Sequence, residues 1–254
     1  ASSGDARIRR ADPFMIRLIF GFTKPRKSIL GVIISGEIES IGKDVKQFKV
    51  GDQVYGTTGM GFGSYAEYKC IADDGVLALK PNNMSYEEAA AIPFGGTAAL
   101  DFLRKGNIKP GQKVLINGAS GALGTAAVQL AKNFGAQVTG VCSTSNLNLV
   151  KSLGADKVID YTKTDFTKSE ETYDLIFDSV GKSSLAGYRR SLNETGKLLL
   201  ANASISLMIR GLLSSIGSRK KVLSGVIKET AKDLNYFKTL IEEGKMKAVI
   251  DREY

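Results

Sequence analysis

The chain of 254 residues has no histidine, no tryptophan, two cysteines and five prolines. Zinc enzymes hold their metal with histidine, cysteine and carboxylates. With no histidine, and with Cys70 and Cys142 far apart in the chain, the expectation is no metal site and no Ser-His-Asp triad. Two distant cysteines also make no disulfide framework, which points to a reducing compartment and a cytoplasmic protein. No apolar run reaches the roughly 18–20 residues that a membrane span needs. No signal peptide is visible, although the chain opens at Ala1 rather than at methionine. One more scarcity is local: between Thr125 and Ala155 there is no Asp or Glu.

Positive charge, by contrast, is in excess, with a formal net charge of +9. A basic balance raises the question of nucleic-acid binding. The basic residues are scattered, however, and the one compact cluster is Arg219-Lys220-Lys221. Zinc-finger spacing and aromatic-rich basic motifs are both lacking. No nucleic-acid partner is expected, and a basic surface would instead attract an anionic ligand. The hydrophobic share of 43% suffices for one large domain or two modest ones.

Residues 29–80 have the pattern of β structure. "ILGVIISGEIESIG" is a β-branched run ending at Gly42, and "FKVGDQVYG" puts a Gly-Asp turn before a short strand. In "GSYAEYKCIA", Ala66, Tyr68 and Cys70 alternate with Glu67 and Lys69, the period of a half-buried strand. Glycines at 51, 56, 59, 61 and 63 suit tight corners of a small barrel.

The pattern then changes. "MSYEEAAAIP" opens with a capping box, Ser85 followed three residues later by Glu88, and Pro93 ends that short helix. "GGTAALDFLRKG" is a second helix. Strands at "KVLIN", "AQVTGVC", "KVIDY", "YDLIFDSVG" and 196–201 then alternate with helices. The helix after "KVLIN" lines up Leu123, Ala127, Leu130, Ala131 and Phe134 on one face. Such alternation predicts a parallel sheet covered on both faces. A last helix over 231–243 points Leu234, Phe237, Leu240 and Ile241 inward, while residues 202–221 give no clear pattern.

"LINGASGALG", residues 115–124, carries the chemistry. A strand that enters a helix through small residues can hold a phosphate, because the first helical N–H groups lack partners and the helix dipole favours an anion. The dinucleotide fingerprint G-x-G-x-x-G is matched here by Ala119, Gly121 and Gly124, with Gly118 just ahead. Folds that bind NAD place an acid at the end of the next strand, for the ribose 2′-hydroxyl. This chain has Ser143, Thr144, Ser145 and Asn146 there, with Lys151 and Tyr161 further on. These groups donate hydrogen bonds to a 2′-phosphate without repelling it, so NADP(H) is expected rather than NAD(H).

"PGQKVLINGASGALGTAAVQLAK", "SLGADKVIDY" and "YDLIFDSVGK" resemble the zinc-independent quinone oxidoreductase branch of the medium-chain dehydrogenase/reductase superfamily. "SGEIESIGKDVKQFKVGDQVYG", "GSYAEY" and "AAAIPFGGTAAL" are similar to that family's GroES-like catalytic domain and domain junction. The resemblance covers nearly the whole chain. It implies an α/β protein: a GroES-like β-barrel catalytic domain (1–95), a Rossmann-type doubly wound parallel sheet domain (96–244), and the start of a return to the catalytic domain (245–254). It implies that Thr97 lies near the nicotinamide and that Ser120, Gly121, Ala122 and Leu123 form the pyrophosphate turn. Ser143, Asn146 and Tyr161 would form the 2′-phosphate pocket. Ser179, Val180, Gly181 and Ala201 would flank the nicotinamide half. Ser145 stands where members often carry arginine, and Ser2 where many carry asparagine.

The implied activity is zinc-independent hydride transfer from NADPH to a quinone or other conjugated carbonyl. A reductase of 2-alkenal or enone double bonds is the alternative within enzymes. A non-catalytic NADP(H)-binding assembly protein, or a nucleic-acid binder, is the alternative outside them. No single catalytic side chain is assigned, since water can supply the proton. Asp5, Phe62 and Tyr65 would either line the acceptor side or serve the structure. Set against the family's length, segments are expected to be missing at both ends, and a homodimer is a further expectation.

Overall fold

A computed structural model describes residues 3–10, 17, 21 and 26–252. Ser2 lies outside the described residues. The first unit is a three-stranded antiparallel sheet of β1 (Ile33–Glu37), β2 (Gln53–Thr57) and β3 (Val76–Leu79), with β2 in the centre. Ile33 pairs with Thr57 across β1 and β2, and Val54 with Leu79 across β2 and β3. The Gly-Asp pair makes the expected turn, with Gly51 at φ +86°. Ahead of the sheet, α1 (Ser3–Arg10) carries Asp5, which accepts hydrogen bonds from Gly31 N (3.3 Å) and Tyr65 Oη (3.0 Å). Asp5 and Tyr65 thereby tie α1 to the loop that precedes β1, and Phe62 is buried.

"GSYAEYKCIA" does not form the expected strand. Ser64 N and Tyr65 N donate to Gly31 O and Leu30 O. Past that point no strand runs alongside among the described residues. Ala66, Tyr68 and Cys70 are all exposed. Alternation needs a neighbouring strand to supply the ladder, and an isolated extended segment is unstable in water.

α2 (Tyr86–Ala91) begins with the expected capping box: Ser85 Oγ accepts from Glu88 N, and Glu88 Oε2 accepts from Ser85 N. α3 (Pro93–Lys105) follows at once, with Pro93 at its first position, where a missing N–H costs nothing. It joins the two units.

The second unit is a six-stranded parallel sheet. Its elements are β4 (Lys113–Asn117), α4 (Ala122–Asn133), β5 (Gln137–Cys142), α5 (Leu147–Ser152), β6 (Lys157–Asp160), β7 (Tyr173–Asp178), α6 (Leu185–Ser191) and β8 (Leu192–Leu200). They continue with α7 (Ile205–Ser214), β9 (Lys221–Leu223) and α8 (Ala231–Glu242). The strand order is β6-β5-β4-β7-β8-β9. Period-two side chains sort into two cores. Val114, Ile116, Leu175, Phe177 and Leu199 pack with α3, α4 and α8, whereas Leu115, Ile176, Leu198 and Leu200 pack with Tyr188 of α6 and Leu207 of α7. Both faces are covered, as expected of a doubly wound sheet. In α8, Leu234, Phe237, Leu240 and Ile241 point inward as expected.

The "MKAVIDREY" segment forms no strand among its described residues. It runs instead along α4, where Gln129 Nε2 donates to Lys247 O (3.1 Å) and Gln129 Oε1 accepts from Lys247 N (2.9 Å). The side-chain amide of Gln129 supplies the pairing that a second strand would otherwise give.

Candidate cofactor and acceptor site

The strand order reverses between β4 and β7, and ligands of open α/β sheets bind outside the carboxyl ends of the strands at such a point. The turn after β4 sits there. Gly118 takes φ +82°, and a Cβ on it would meet Ser179 Oγ at 2.5 Å. Ala119 replaces the first fingerprint glycine and is fully buried. Gly140 on β5 makes room for it, since a Cβ at Gly140 would lie 3.1 Å from that of Ala119. The two later glycines differ. A Cβ on Gly124 would be 2.0 Å from Gly118 O, so Gly124 lets the helix lie against the strand. A Cβ on Gly121 would meet nothing nearer than Gly118 O at 3.6 Å, so Gly121 faces open space.

Gly121 is also the N-cap of α4, and among the described residues no side chain caps the first N–H groups of that helix. Its first backbone bond runs from Thr125 N to Gly121 O (2.8 Å). The N–H groups of Ala122 and Leu123 therefore have no intrahelical acceptor, and the dipole of a twelve-residue helix points at the same spot. An exposed, uncapped N-terminus beside a glycine fits a pyrophosphate.

The loop after β7 is built as a rigid wall beside this turn. Asp178 is 0% exposed; it accepts from Asn117 Nδ2 (2.8 Å), Val180 N (3.2 Å) and Gly181 N (2.9 Å). Burial raises its carboxyl pKa, and the hydrogen bonds from Tyr188, Asn117 and the two N–H groups oppose that rise. Ser179 Oγ donates to Asn117 O (2.9 Å). Gly181 holds φ +71°, with Asn202 O 2.4 Å from where its Cβ would be. Ala201 N donates to Asp178 O (2.9 Å), which sets Ala201 next to this loop. The register of the parallel sheet thus lines up Tyr161, then Ser143 and Asn146, then the Ser120–Leu123 turn, then Ser179–Gly181, then Ala201 along one edge.

At the β5–β6 end, Ser143, Thr144, Ser145 and Asn146 make a single 3₁₀ turn and its cap. Asn146 Nδ2 donates to Ser143 Oγ (3.0 Å), and Ser143 Oγ lies 3.1 Å from Ser145 Oγ. Tyr161 is 62% exposed, and its N–H donates to Cys142 O (3.1 Å). The structure adds a residue that the sequence did not single out. Asp160 pairs with Cys142 across the strands and accepts from Thr144 Oγ1 (2.6 Å). The Thr144 and Thr162 hydroxyls hold its carboxyl below the usual carboxylate range. A carboxylate therefore does stand beside this turn, contributed by the third strand rather than the second, and Thr144 is turned towards it.

Thr97 lies deeper than its neighbours on this edge. It is 1% exposed, and its Oγ1 donates to Pro93 O (2.7 Å). The start of α3 touches the start of α4, since a Cβ on Gly95 would be 2.2 Å from Ala122 O. Glu229, also missed in the sequence, joins the units here. It accepts from Thr57 Oγ1 on β2 (2.8 Å), and its Oε1 lies 3.3 Å from Thr97 Oγ1. Tyr55 Oη, donating to Leu234 O at 2.6 Å, adds a second tie. Thr57, Thr58, Lys69, Ile71, Ile227 and Glu229 line a cavity of about 500 Å³ between the first unit and the segment after β9. No motif marks Glu229, which is 172 residues from Thr57 and 132 from Thr97.

Elsewhere, the basic cluster is spent locally. Lys220 Nζ donates to Arg189 O (2.7 Å) and Leu192 O (2.8 Å), Lys221 Nζ donates to Ser215 O, and Arg219 faces Glu194. Among the described residues, no three His, Cys, Asp or Glu side chains converge as a metal-ligand set. No helix among them is long and apolar enough to cross a membrane.

Residues 5–81 match the alcohol dehydrogenase GroES-like domain, and residues 153–254 match the family described as zinc-binding dehydrogenase. The chain is 36% identical over 236 residues to 2-methylene-furan-3-one reductase of Solanum lycopersicum, covering 89% of this chain and 57% of that protein. It is 32% identical over 236 residues to quinone-oxidoreductase QR1, chloroplastic, of Triphysaria versicolor, covering 87% of this chain and 70% of that protein. The solved quinone oxidoreductase of Coxiella burnetii superposes with a TM-score of 0.85 at 28% identity, covering 99% of this chain and 78% of that one. The chain spans 57% of the length of the tomato relative and the same share of an alkenal/one oxidoreductase from Arabidopsis thaliana. The chain belongs to the quinone-oxidoreductase branch of the medium-chain dehydrogenase/reductase superfamily.

Proposed function

We propose that this chain is the cofactor- and acceptor-binding part of an NADPH-dependent oxidoreductase whose acceptor is a quinone or another conjugated carbonyl. The observation that carries the reading is the uncapped start of α4 at Gly121, placed where the strand order reverses. Ser120, Gly121, Ala122 and Leu123 would hold the pyrophosphate. Ser143, Asn146 and Tyr161 would hold the 2′-phosphate, and Ser179, Val180, Gly181 and Ala201 the nicotinamide half, with Thr97 beneath it. The bound cofactor supplies a hydride, and with a proton from water this completes a two-electron reduction of the acceptor and leaves NADP⁺. The chain's own part is to fix the two ends of the cofactor and to shelter the acceptor. The 500 Å³ cavity beside Thr57 and Glu229 has the size for a flat conjugated molecule.

The relatives named for 2-methylene-furan-3-one and for alkenal/one support reduction of an enone double bond as a second reading. A homodimer is proposed from one observation. β9 is the outer strand of the sheet, and beside it α7 leaves Ile205, Ile209, Leu212 and Leu213 exposed, with Ile216 just beyond the helix. A cytoplasmic location is proposed from the two free cysteines. The experiment is steady-state NADPH consumption with 1,4-quinones, 2-alkenals and primary alcohols side by side. Turnover with a conjugated acceptor and little with alcohols is expected. Tight NADPH binding with no turnover on any conjugated acceptor would promote the non-catalytic reading.

A further inference from the structure

We infer that Glu229 is a positioning residue that sets a fixed negative charge against the nicotinamide end of the cleft and thereby favours the oxidised, positively charged ring over the reduced, neutral one. The inference rests on the cofactor reading above, and its test is chosen to fail separately from it.

The placement comes from topology. β9 runs parallel to β8, so residues past Leu223 leave the sheet at the same carboxyl edge as Ala201. Glu229 lies six residues beyond that strand end. The chain turns through Gly225, at φ +137°, where added atoms would meet nothing within 4 Å. It then crosses the front of α3, where Lys105 Nζ donates to Val226 O (2.9 Å). Glu229 thus arrives over Thr97 while lining the cavity.

The carboxylate is held rather than free to swing. Thr57 Oγ1 donates to Oε2 (2.8 Å), while Thr97 Oγ1, whose hydrogen is directed at Pro93 O, lies 3.3 Å from Oε1, so each oxygen is placed against one unit. A purely structural bridge between two threonines would need only a neutral amide. Among the described residues Glu229 forms no salt bridge, and the one ammonium lining the same cavity, Lys69, makes no ion pair or hydrogen bond. The charge on Glu229 is thus not held in a contact ion pair, and it borders a half-enclosed space where charges act more strongly than in bulk water. Loss of hydride turns the nicotinamide from neutral to cationic. A carboxylate beside that ring stabilises the product form and lowers the cost of hydride donation.

The test is direct titration of NADP⁺ and of NADPH onto the full chain, comparing wild type with Glu229→Gln and Glu229→Asp. Gln can accept from Thr57 Oγ1 and donate through Nε2 to Thr97 Oγ1, whose hydrogen goes to Pro93 O, but it removes the charge; Asp keeps the charge. Glu229→Gln is expected to weaken NADP⁺ about tenfold more than NADPH. Glu229→Asp is expected to leave the ratio of the two affinities within about twofold of wild type. An unchanged ratio in Glu229→Gln, or equal loss of both forms, overturns the inference. If Glu229→Gln does not fold, Glu229→Asp decides: a retained ratio supports the inference and a lost one overturns it. Failure of the wild-type chain to bind NADPH would instead remove the cofactor reading itself.

Discussion

Helices α4 and α8 begin in opposite ways. At α8, Thr230 Oγ1 accepts from Asp233 N (3.2 Å) and donates to Asp233 Oδ2 (2.6 Å), so the first turn is satisfied from within. Ser85, Ser184 and Ser204 cap their helices in the same manner. At α4 the cap position is glycine, and among the described residues no side chain caps the first N–H groups. A side-chain cap contributes about 1 kcal/mol, and the chain forgoes it at the one helix that starts beneath the strand-order reversal. α3 and α5 also start without a side-chain cap, but of these open starts only that of α4 has a glycine at the cap position and lies at the strand-order reversal, where an anion can be held.

The sharpest way to break the comparison is within α4 itself. Gly124 is the structural glycine of the turn, and Gly124→Ala would press a methyl group against Gly118 O. A loss of about 1–3 kcal/mol in stability is expected, read by denaturant unfolding, with cofactor binding lost in parallel. Thr230→Ala acts on the other side of the comparison. It removes a satisfied cap and loosens Asp233, the partner of Arg104. About 1 kcal/mol of stability should go, while NADPH affinity should stay within twofold of wild type. A large loss of NADPH binding in Thr230→Ala would mean that the capped and open termini do not divide the work as described.

Much of the second unit was legible because its signals are periodic and local. Two-residue alternation at 114–116 and 175–177 sends neighbours to opposite cores, and the 3.6-residue spacing of Leu123, Ala127, Leu130 and Ala131 faces one of them. Ser85 and Glu88 announced their capping box through chemistry confined to four residues. Residues 202–221 were illegible for two reasons. The apolar face of α7 is exposed at Ile205, Ile209, Leu212 and Leu213, and β9 has three residues, too few to show a period. "GSYAEYKCIA" misled because alternation cannot reveal whether a partner strand is present. Glu229 and Asp160 were missed because each acts through a residue distant in sequence: Thr57 across 172 positions, and Thr144 across 16 through strand pairing. Sequence patterns mark elements, but they do not mark which polar groups tertiary structure brings face to face.

The measurement that bears most directly on the open terminus is titration of NADPH onto Gly121→Val, paired with thermal unfolding. The space beyond Gly121 is clear, so the fold should tolerate the side chain, with a melting temperature within about 4 °C of wild type. The added carbons would occupy the place of the pyrophosphate, and NADPH affinity should fall at least tenfold. A variant that folds and binds NADPH as tightly as wild type would contradict the assignment of the cofactor to this helix start.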